Sequence, residues 1–312
     1  MPKSLDIVVK PLKEEDLGEA TRILRLAFGT FLGLPDPTQM FGDRQLIRNR
    51  WRANPGGVLG AYSEGTLVGS NVVTRWGKFG WFGPLSVLPR LWDKGIAKQL
   101  LDPTMDLFSK WQTTHEGLFT FAQSPKHVGL YEKFGFSARF LTVITTKKVR
   151  HQDIEYDTFS NYAKKKDMEE ILRECHELTN RIYDGLDLSD EIGAVQNFKL
   201  GDTVLIKDGS KIGGFGVCHV GADTEAGSGT CFIKFGASNS KENFVHLLRA
   251  CEDFASQRGM AIIEAGVNLG RFGAYREMLS QGFRSEFQGV AMQRPNQAGF
   301  NHSDVFAIDD WR

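Results

Sequence analysis

The sequence predicts an α/β protein made of two tandem copies of one mixed layer of strands and helices. Three observations predict it. The first 150 residues alternate strand-period and helix-period segments, the chain resembles itself when slid along by 147 residues, and 312 residues amount to about two domains.

The first residues alternate as a strand (Leu5, Ile7, Val9), and Pro11 ends it. Leu17, Ala20, Ile23, Leu24 and Ala27 then fall at helical spacing, with Glu14, Glu15 and Asp16 in the first turn, where acids suit the helix dipole. A loop punctuated by Gly33, Pro35 and Pro37 leads to an Arg-rich helix over residues 43–53. Val58–Tyr62 and Leu67–Thr74 form a hairpin around Ser63-Glu64-Gly65, and Phe79–Val87 a further strand. Gly95–Trp111 is a helix, Gly117–Ala122 a short buried strand and 126–134 a helix stopped by Gly135, before Ala138–Lys148 closes the copy as a strand.

The repeat is read most directly between residues 97 and 144, where one constant offset places Leu100-Leu101 on Leu247-Leu248. The same offset puts Gly135-Phe136 on Gly282-Phe283, Phe140 on Phe287 and Val143 on Val290. A duplication follows, with its boundary near residues 149–156. The domains are 1–150, 151–299 and a tail of 300–312.

Composition excludes several classes. With 41% hydrophobic residues, 23 Phe and 6 Trp, the chain has enough apolar surface to offset its conformational entropy, so disorder is excluded. No apolar run approaches the roughly 18 residues of a membrane span. The start, Met1-Pro2-Lys3-Ser4-Leu5-Asp6, has no signal-peptide core, so a cytoplasmic location is expected. Cys175, Cys218, Cys231 and Cys251 lack metal-ligand spacing, as do the seven histidines; no metal is expected. The net charge of zero is a sum of unequal halves: 21 Lys+Arg against 13 Asp+Glu up to residue 150, and 17 against 25 beyond. Either the basic half meets a polyanion, or the two halves attract one another across an interface. No basic stripe interleaved with aromatics points to nucleic acid.

The segment from Gly83 to Leu101 carries the most chemistry. A strand ends at Val87, Pro89 turns the chain, and a helix starts near Gly95. Gly95 and Ala97 let backbone approach a ligand, and the free N–H groups of a helix start favour an anion. Lys94 and Lys98 put cations at the wrong end of the helix dipole, an arrangement that an anion would relieve.

Residues 85–101 resemble the acetyl-CoA signature of the GNAT superfamily of N-acetyltransferases, its Gln/Arg-x-x-Gly-x-Gly/Ala core reading Trp92-Asp93-Lys94-Gly95-Ile96-Ala97. Ser124 to Phe136, ending Leu130-Tyr131-Glu-Lys-Phe-Gly135-Phe136, resembles the superfamily's second motif. Trp92 departs from the usual Gln or Arg, and Ser124 from Asn. The resemblance covers residues 5–149 and implies two GNAT-like domains, each a mixed, mostly antiparallel sheet flanked by helices, with the second degenerate. It implies acetyl-CoA as cosubstrate and a transferase. Leu85 and Val87, with Ser86 between them, would bond the pantetheine arm through the backbone. Trp92, Asp93, Lys94, Gly95, Ile96, Ala97 and Lys98 would hold the pyrophosphate, with Ser124 nearby. Tyr131 would be the catalytic acid that protonates the departing thiolate.

The acceptor amine needs a base, and residues 76–92 hold no Asp, Glu or His. Asp36, Asp43, His127, an aromatic and acidic tail from Asp304 to Arg312 that could fold over the cleft and contribute Asp309, Asp310 or the terminal carboxylate, and a water chain all remain open. Phe28, Phe31, Phe41 and Trp51 are expected to be core side chains; any that face the cleft would favour an acceptor with an aromatic body. Under the 147-residue offset Gly95 becomes Glu242, Ala97 becomes Phe244, Ser124 becomes Arg271 and Tyr131 becomes Met278. A carboxylate near phosphate and a bulky ring are unfavourable there, so the second copy is expected to keep the fold without the cofactor. Tyr275 lies one turn from the missing phenol. The leading expectation is acetyl transfer to a primary amine, a small molecule or a peptide N-terminus, with homodimerisation possible. A non-catalytic acyl-CoA sensor is the alternative.

Overall fold

The structure, a computed structural model, describes residues 6–162 and 164–312. Leu5, placed at the head of the first predicted strand, lies outside the described residues. The first copy runs β1 (Ile7–Pro11), α1 (Leu17–Phe31), α2 (Leu46–Ala53), β2 (Val58–Ser63), β3 (Thr66–Trp76) and β4 (Phe79–Val87). It continues with α3 (Ile96–Trp111), β5 (His115–Thr120), α4 (Pro125–Glu132) and β6 (Ser137–Lys148). The second copy runs β7 (Asp157–Thr158), α5 (Lys165–Ile182), α6 (Ser189–Phe198), β8 (Gly201–Asp208), β9 (Lys211–Gly221) and β10 (Gly227–Ser238). It then holds α7 (Lys241–Gln257), β11 (Ile262–Asn268), α8 (Phe272–Ser280), β12 (Arg284–Arg294) and, in the tail, β13 (Phe306–Ile308).

The patterns read from the sequence explain these elements. All five apolar positions predicted for α1 are buried. Glu64 and Gly65 both take positive φ, 49° and 78°, the conformation that a two-residue hairpin turn requires between β2 and β3. The second helix begins later than the periodicity predicts, at Leu46 rather than residue 43. Asp43 and Arg44 are drawn out of helical register by partners in the second copy. The Ser228 backbone N–H donates to Asp43 at 3.0 Å, and Arg44 bonds the Glu264 carboxylate at 3.0 and 3.1 Å.

One continuous sheet joins the copies, in the order β1-β2-β3-β4-β5-β12-β6-β11-β10-β9-β8-β7. Each copy's last strand has crossed over. β12 pairs β5 of the first copy, β6 pairs β11 of the second, and the two exchanged strands pair each other antiparallel at the centre. Each copy thereby supplies a strand to the other's sheet.

Behind the sheet the copies share an aromatic core. Trp76, Phe79, Trp81 and Phe235 are buried together with Phe300 and Trp311 of the tail. Trp76 meets Trp81 edge-on at 5.3 Å and Phe235 at 5.4 Å. The charge asymmetry is used at the same boundary: Arg50 pairs with Glu225 at 2.6 Å and Lys78 with Asp184 at 2.9 Å, beside the Arg44–Glu264 pair.

Candidate functional site

β4 and β5 run parallel and stay paired only from Phe79–His115 to Phe82–Leu118. One extra residue then bulges β4, where Phe82 opposes Val73 and Leu85 opposes Asn71. Beyond it, Leu85, Ser86 and Val87 remain paired to β3 while their other edge faces a gap. The gap opens into a cleft of about 1460 Å³ between the two copies.

At one end of this cleft lies the start of α3. Its N-cap residue, Gly95, has φ 78°, and no side chain caps the helix. A Cβ built at Gly95 would meet nothing within 4 Å. The first N–H groups of α3 therefore front open space, with Lys98 beside them, an arrangement suited to an anion. The Trp92 indole turns back and donates to the Val87 carbonyl at 2.8 Å, fixing the loop on the end of β4. Asp93 pairs with Lys126 at 2.5 Å, tying the same loop to α4.

Of the residues singled out in the sequence, Leu85, Ser86, Val87, Trp92, Asp93, Gly95, Ile96, Ala97, Lys98 and Tyr131 all line the cleft. Lys94 and Ser124 do not. Lys94 is exposed, and the Ser124 hydroxyl caps α4 by accepting the His127 N–H at 3.4 Å. Tyr131 is buried, its ring 5.6 Å from Phe82, and Thr120 is its polar neighbour. Burial pushes the phenol well above its ordinary pKa, so it keeps its proton at neutral pH.

The opposite wall is aromatic. Phe28, Phe31 and Phe41 face the cleft, whereas Trp51 packs on the core and donates to the Leu12 carbonyl at 2.9 Å. Phe121 joins them, 4.5 Å from Phe31, and reaches Phe287 of the second copy at 5.8 Å. The His127 ring lies 4.9 Å from that of Phe31, tilted by 44°, and burial lowers its pKa.

The second copy closes the floor with Glu264 and Glu286, which sequence reasoning did not single out, and the tail, a candidate to fold over the cleft, adds Trp311 and Arg312. Burial alone would raise the Glu264 carboxyl, but Arg312 and Arg44 outweigh it and hold the group below its ordinary pKa. Glu286 accepts a hydrogen bond from Thr146 at 3.1 Å. No sequence pattern marked the two glutamates, because they reach the cleft from β11 and β12 of the other copy. Among the earlier candidates for a base, Asp36 is engaged by Thr38 and Asp43 by Ser228. Asp309 is buried against Arg271, and Asp310 is buried beside Arg312.

In the second copy the counterpart loop is gone. β10 reaches α7 through Asn239 and Ser240 alone, where the first copy uses Leu88 to Gly95. Glu242 is exposed inside the first turn of α7, Met278 is buried in the core, and the Tyr275 hydroxyl sits 3.4 Å from Ser285. Phe244 is fully buried, so its ring packs inward instead of obstructing a loop.

Among the described residues, no cluster of His, Cys, Asp and Glu could hold a metal, and no helix is long and apolar enough to cross a membrane. No curated protein sequence matches the chain. A crystal structure of a candidate acetyltransferase from Pyrococcus horikoshii superposes with a TM-score of 0.71 at 14% identity, covering 98% of this chain and 95% of that one. A GCN5-related N-acetyltransferase from Sphaerobacter thermophilus gives 0.61 at 13% identity, covering 94% and 96%. One from Anabaena variabilis gives 0.52 at 15% identity, covering 93% and 72%. At such identities these likenesses establish the fold, which extends over both copies. The family model described as Acetyltransferase (GNAT) family matches residues 21–136, the stretch that holds the splayed strands, the uncapped helix and Tyr131. Over residues 21–136 the chain is similar to the GNAT acetyltransferase family.

Proposed function

We propose that this protein transfers the acetyl group of acetyl-CoA to the primary amine of an acceptor with an aromatic or apolar body. The working domain is residues 1–150, completed by the second copy (151–299) and the tail (300–312). The observation that carries this reading is the conjunction of the β4–β5 splay, the uncapped start of α3 and the protonated Tyr131 around one cleft.

The residues present fit coenzyme A. The free edge of Leu85–Val87 suits an extended amide chain, and the α3 N–H groups with Lys98 suit a pyrophosphate. Acetyl-CoA bound there supplies an activated thioester. Tyr131 holds a proton that the leaving sulfur takes up as the new amide bond forms and the carbon–sulfur bond breaks. The acceptor nitrogen gives up its own proton to water or a cleft carboxylate, which keeps the balance. The aromatic wall of Phe31, Phe121 and Phe287 provides an apolar surface for the body of the acceptor. Glu264 is neutralised by Arg44 and Arg312, which leaves Glu286 as the floor carboxylate placed to meet a cationic amine.

A free-thiol assay with acetyl-CoA tests this over a panel of arylalkyl amines, aliphatic polyamines and peptides with free N-termini. Turnover is expected with the arylalkyl amines and with peptides that begin with an apolar residue. Coenzyme A binding with no thiol release across the panel would point to an acyl-CoA sensor instead.

A further inference from the structure

The second copy repeats the splay of the first. β10 and β11 pair in parallel from Thr230–Ile262 to Ile233–Ala265, four residues each, as β4 and β5 do. One extra residue then bulges β10 between Ile233 and Phe235, at the place where β4 bulges. The residues that follow, Gly236, Ala237 and Ser238, occupy the positions of Leu85, Ser86 and Val87, and pair with β9 as those pair with β3. The difference is on the other edge. In the second copy it is paired with the tail: Ile308, Ala307 and Phe306 lie opposite Gly236, Ala237 and Ser238.

Residues on several elements around that slot hold the tail. Phe244, at the position of Ala97, packs on Phe306 with ring centroids 5.6 Å apart. Arg271, at the position of Ser124, is fully buried and bonds the Asp309 carboxylate at 2.8 Å and its carbonyl at 3.1 Å. The start of α8 gives the Gly273 N–H to the Ser303 carbonyl at 3.0 Å. A Cβ on Gly266 would collide with Asp310. Two of the substitutions that read as losses when the copies are compared in sequence, Phe244 and Arg271, are thus contacts to a peptide segment. Three and four residues past the strand, the same tail brings Trp311 and Arg312 into the cleft of the first copy.

We infer that Phe306–Ile308 is an internal ligand of the second copy's slot, lying where the first copy is proposed to take the pantetheine arm. Its seating limits the chain to one coenzyme A and delivers Trp311 and Arg312 to the acceptor site. The inference rests on the proposed function for the nature of the first slot.

Three measurements on the full chain test it: amide hydrogen exchange with and without saturating coenzyme A, bound stoichiometry by native mass spectrometry, and steady-state kinetics of Phe306→Ser and Ala307→Asp. Slow exchange at 306–308 that coenzyme A does not accelerate is expected, with one coenzyme A per chain. Both variants are expected to speed exchange over 305–312 and raise the acceptor KM roughly tenfold, with coenzyme A affinity changed by less than about twofold. Two coenzyme A molecules per chain, faster exchange at 306–308 when it binds, or a released tail with unchanged acceptor KM would overturn the inference. If neither variant folds, the wild-type stoichiometry and exchange decide it. A wild-type chain that binds no coenzyme A would sink the proposed function, while exchange at 306–308 would still report whether the tail is seated.

Discussion

Arg50 and Glu225 form a buried ion pair, 2.6 Å long, that spans the two copies directly behind the β4 bulge. The same guanidinium donates to the Gly83 carbonyl at 2.8 Å, so the second copy is tied to the backbone where β4 leaves β5. Glu225 is in turn bonded by Lys234 at 2.8 Å, and Lys234 by Glu191 at 2.8 Å. Each charge of the chain is answered by another, which offsets the cost of desolvating it.

Breaking that chain on one side leaves a buried charge without its partner. Glu225→Gln is expected to destabilise the protein by about 3–5 kcal/mol, read from urea unfolding. A loss below about 1 kcal/mol would mean that water reaches the network.

The same carboxylates set an acid dependence. Burial alone would raise Glu191, but the Lys234 charge outweighs it and holds the group at about 2; Glu225 is likewise held well below its ordinary range, by Arg50 and Lys234. Unfolded, both titrate near the ordinary glutamate value of 4.5. Their contribution is therefore complete above that pH and is lost as pH falls toward 2, because the unfolded chain takes up the protons first. Urea midpoints measured between these limits are expected to fall steeply for wild type and less for Glu191→Gln.

Tyr131→Phe removes the proton and little else, since the ring packs on Phe82. We expect kcat to fall about 100-fold with coenzyme A affinity retained. Equal turnover of the two proteins would assign the phenol to packing alone.

Gly95→Glu places a side chain in open space at the start of α3, in a backbone conformation that costs a non-glycine residue about 1–2 kcal/mol. It sets a carboxylate where the pyrophosphate is proposed to sit. Coenzyme A is expected to raise the Tm of wild type and to leave that of the variant unmoved; an undiminished shift would place the anion elsewhere.

Phe121 links the aromatic walls of the two copies through Phe31 and Phe287. Phe121→Ala is expected to raise KM for an arylalkyl amine roughly tenfold, about 1.4 kcal/mol, and to change that of a small aliphatic amine little. Equal effects on both would argue against an aromatic acceptor body.

The sequence by itself determined the local architecture. Period and turn chemistry placed every strand and helix of the first copy within a few residues, and the glycine at the start of α3 marked a site for close backbone approach. Repetition of the core positions Leu100-Leu101 and Leu247-Leu248 exposed the second copy. Tertiary structure alone decided which strand completes which sheet. The hydrophobic alternation of β6 and β12 is satisfied equally in either copy, so pattern cannot say that they exchange. It also decided that Glu264, Glu286 and Arg312 share a cleft with Tyr131. Those side chains stand far apart in sequence and meet only because the exchanged strands and the seated tail turn one copy's face toward the other's opening.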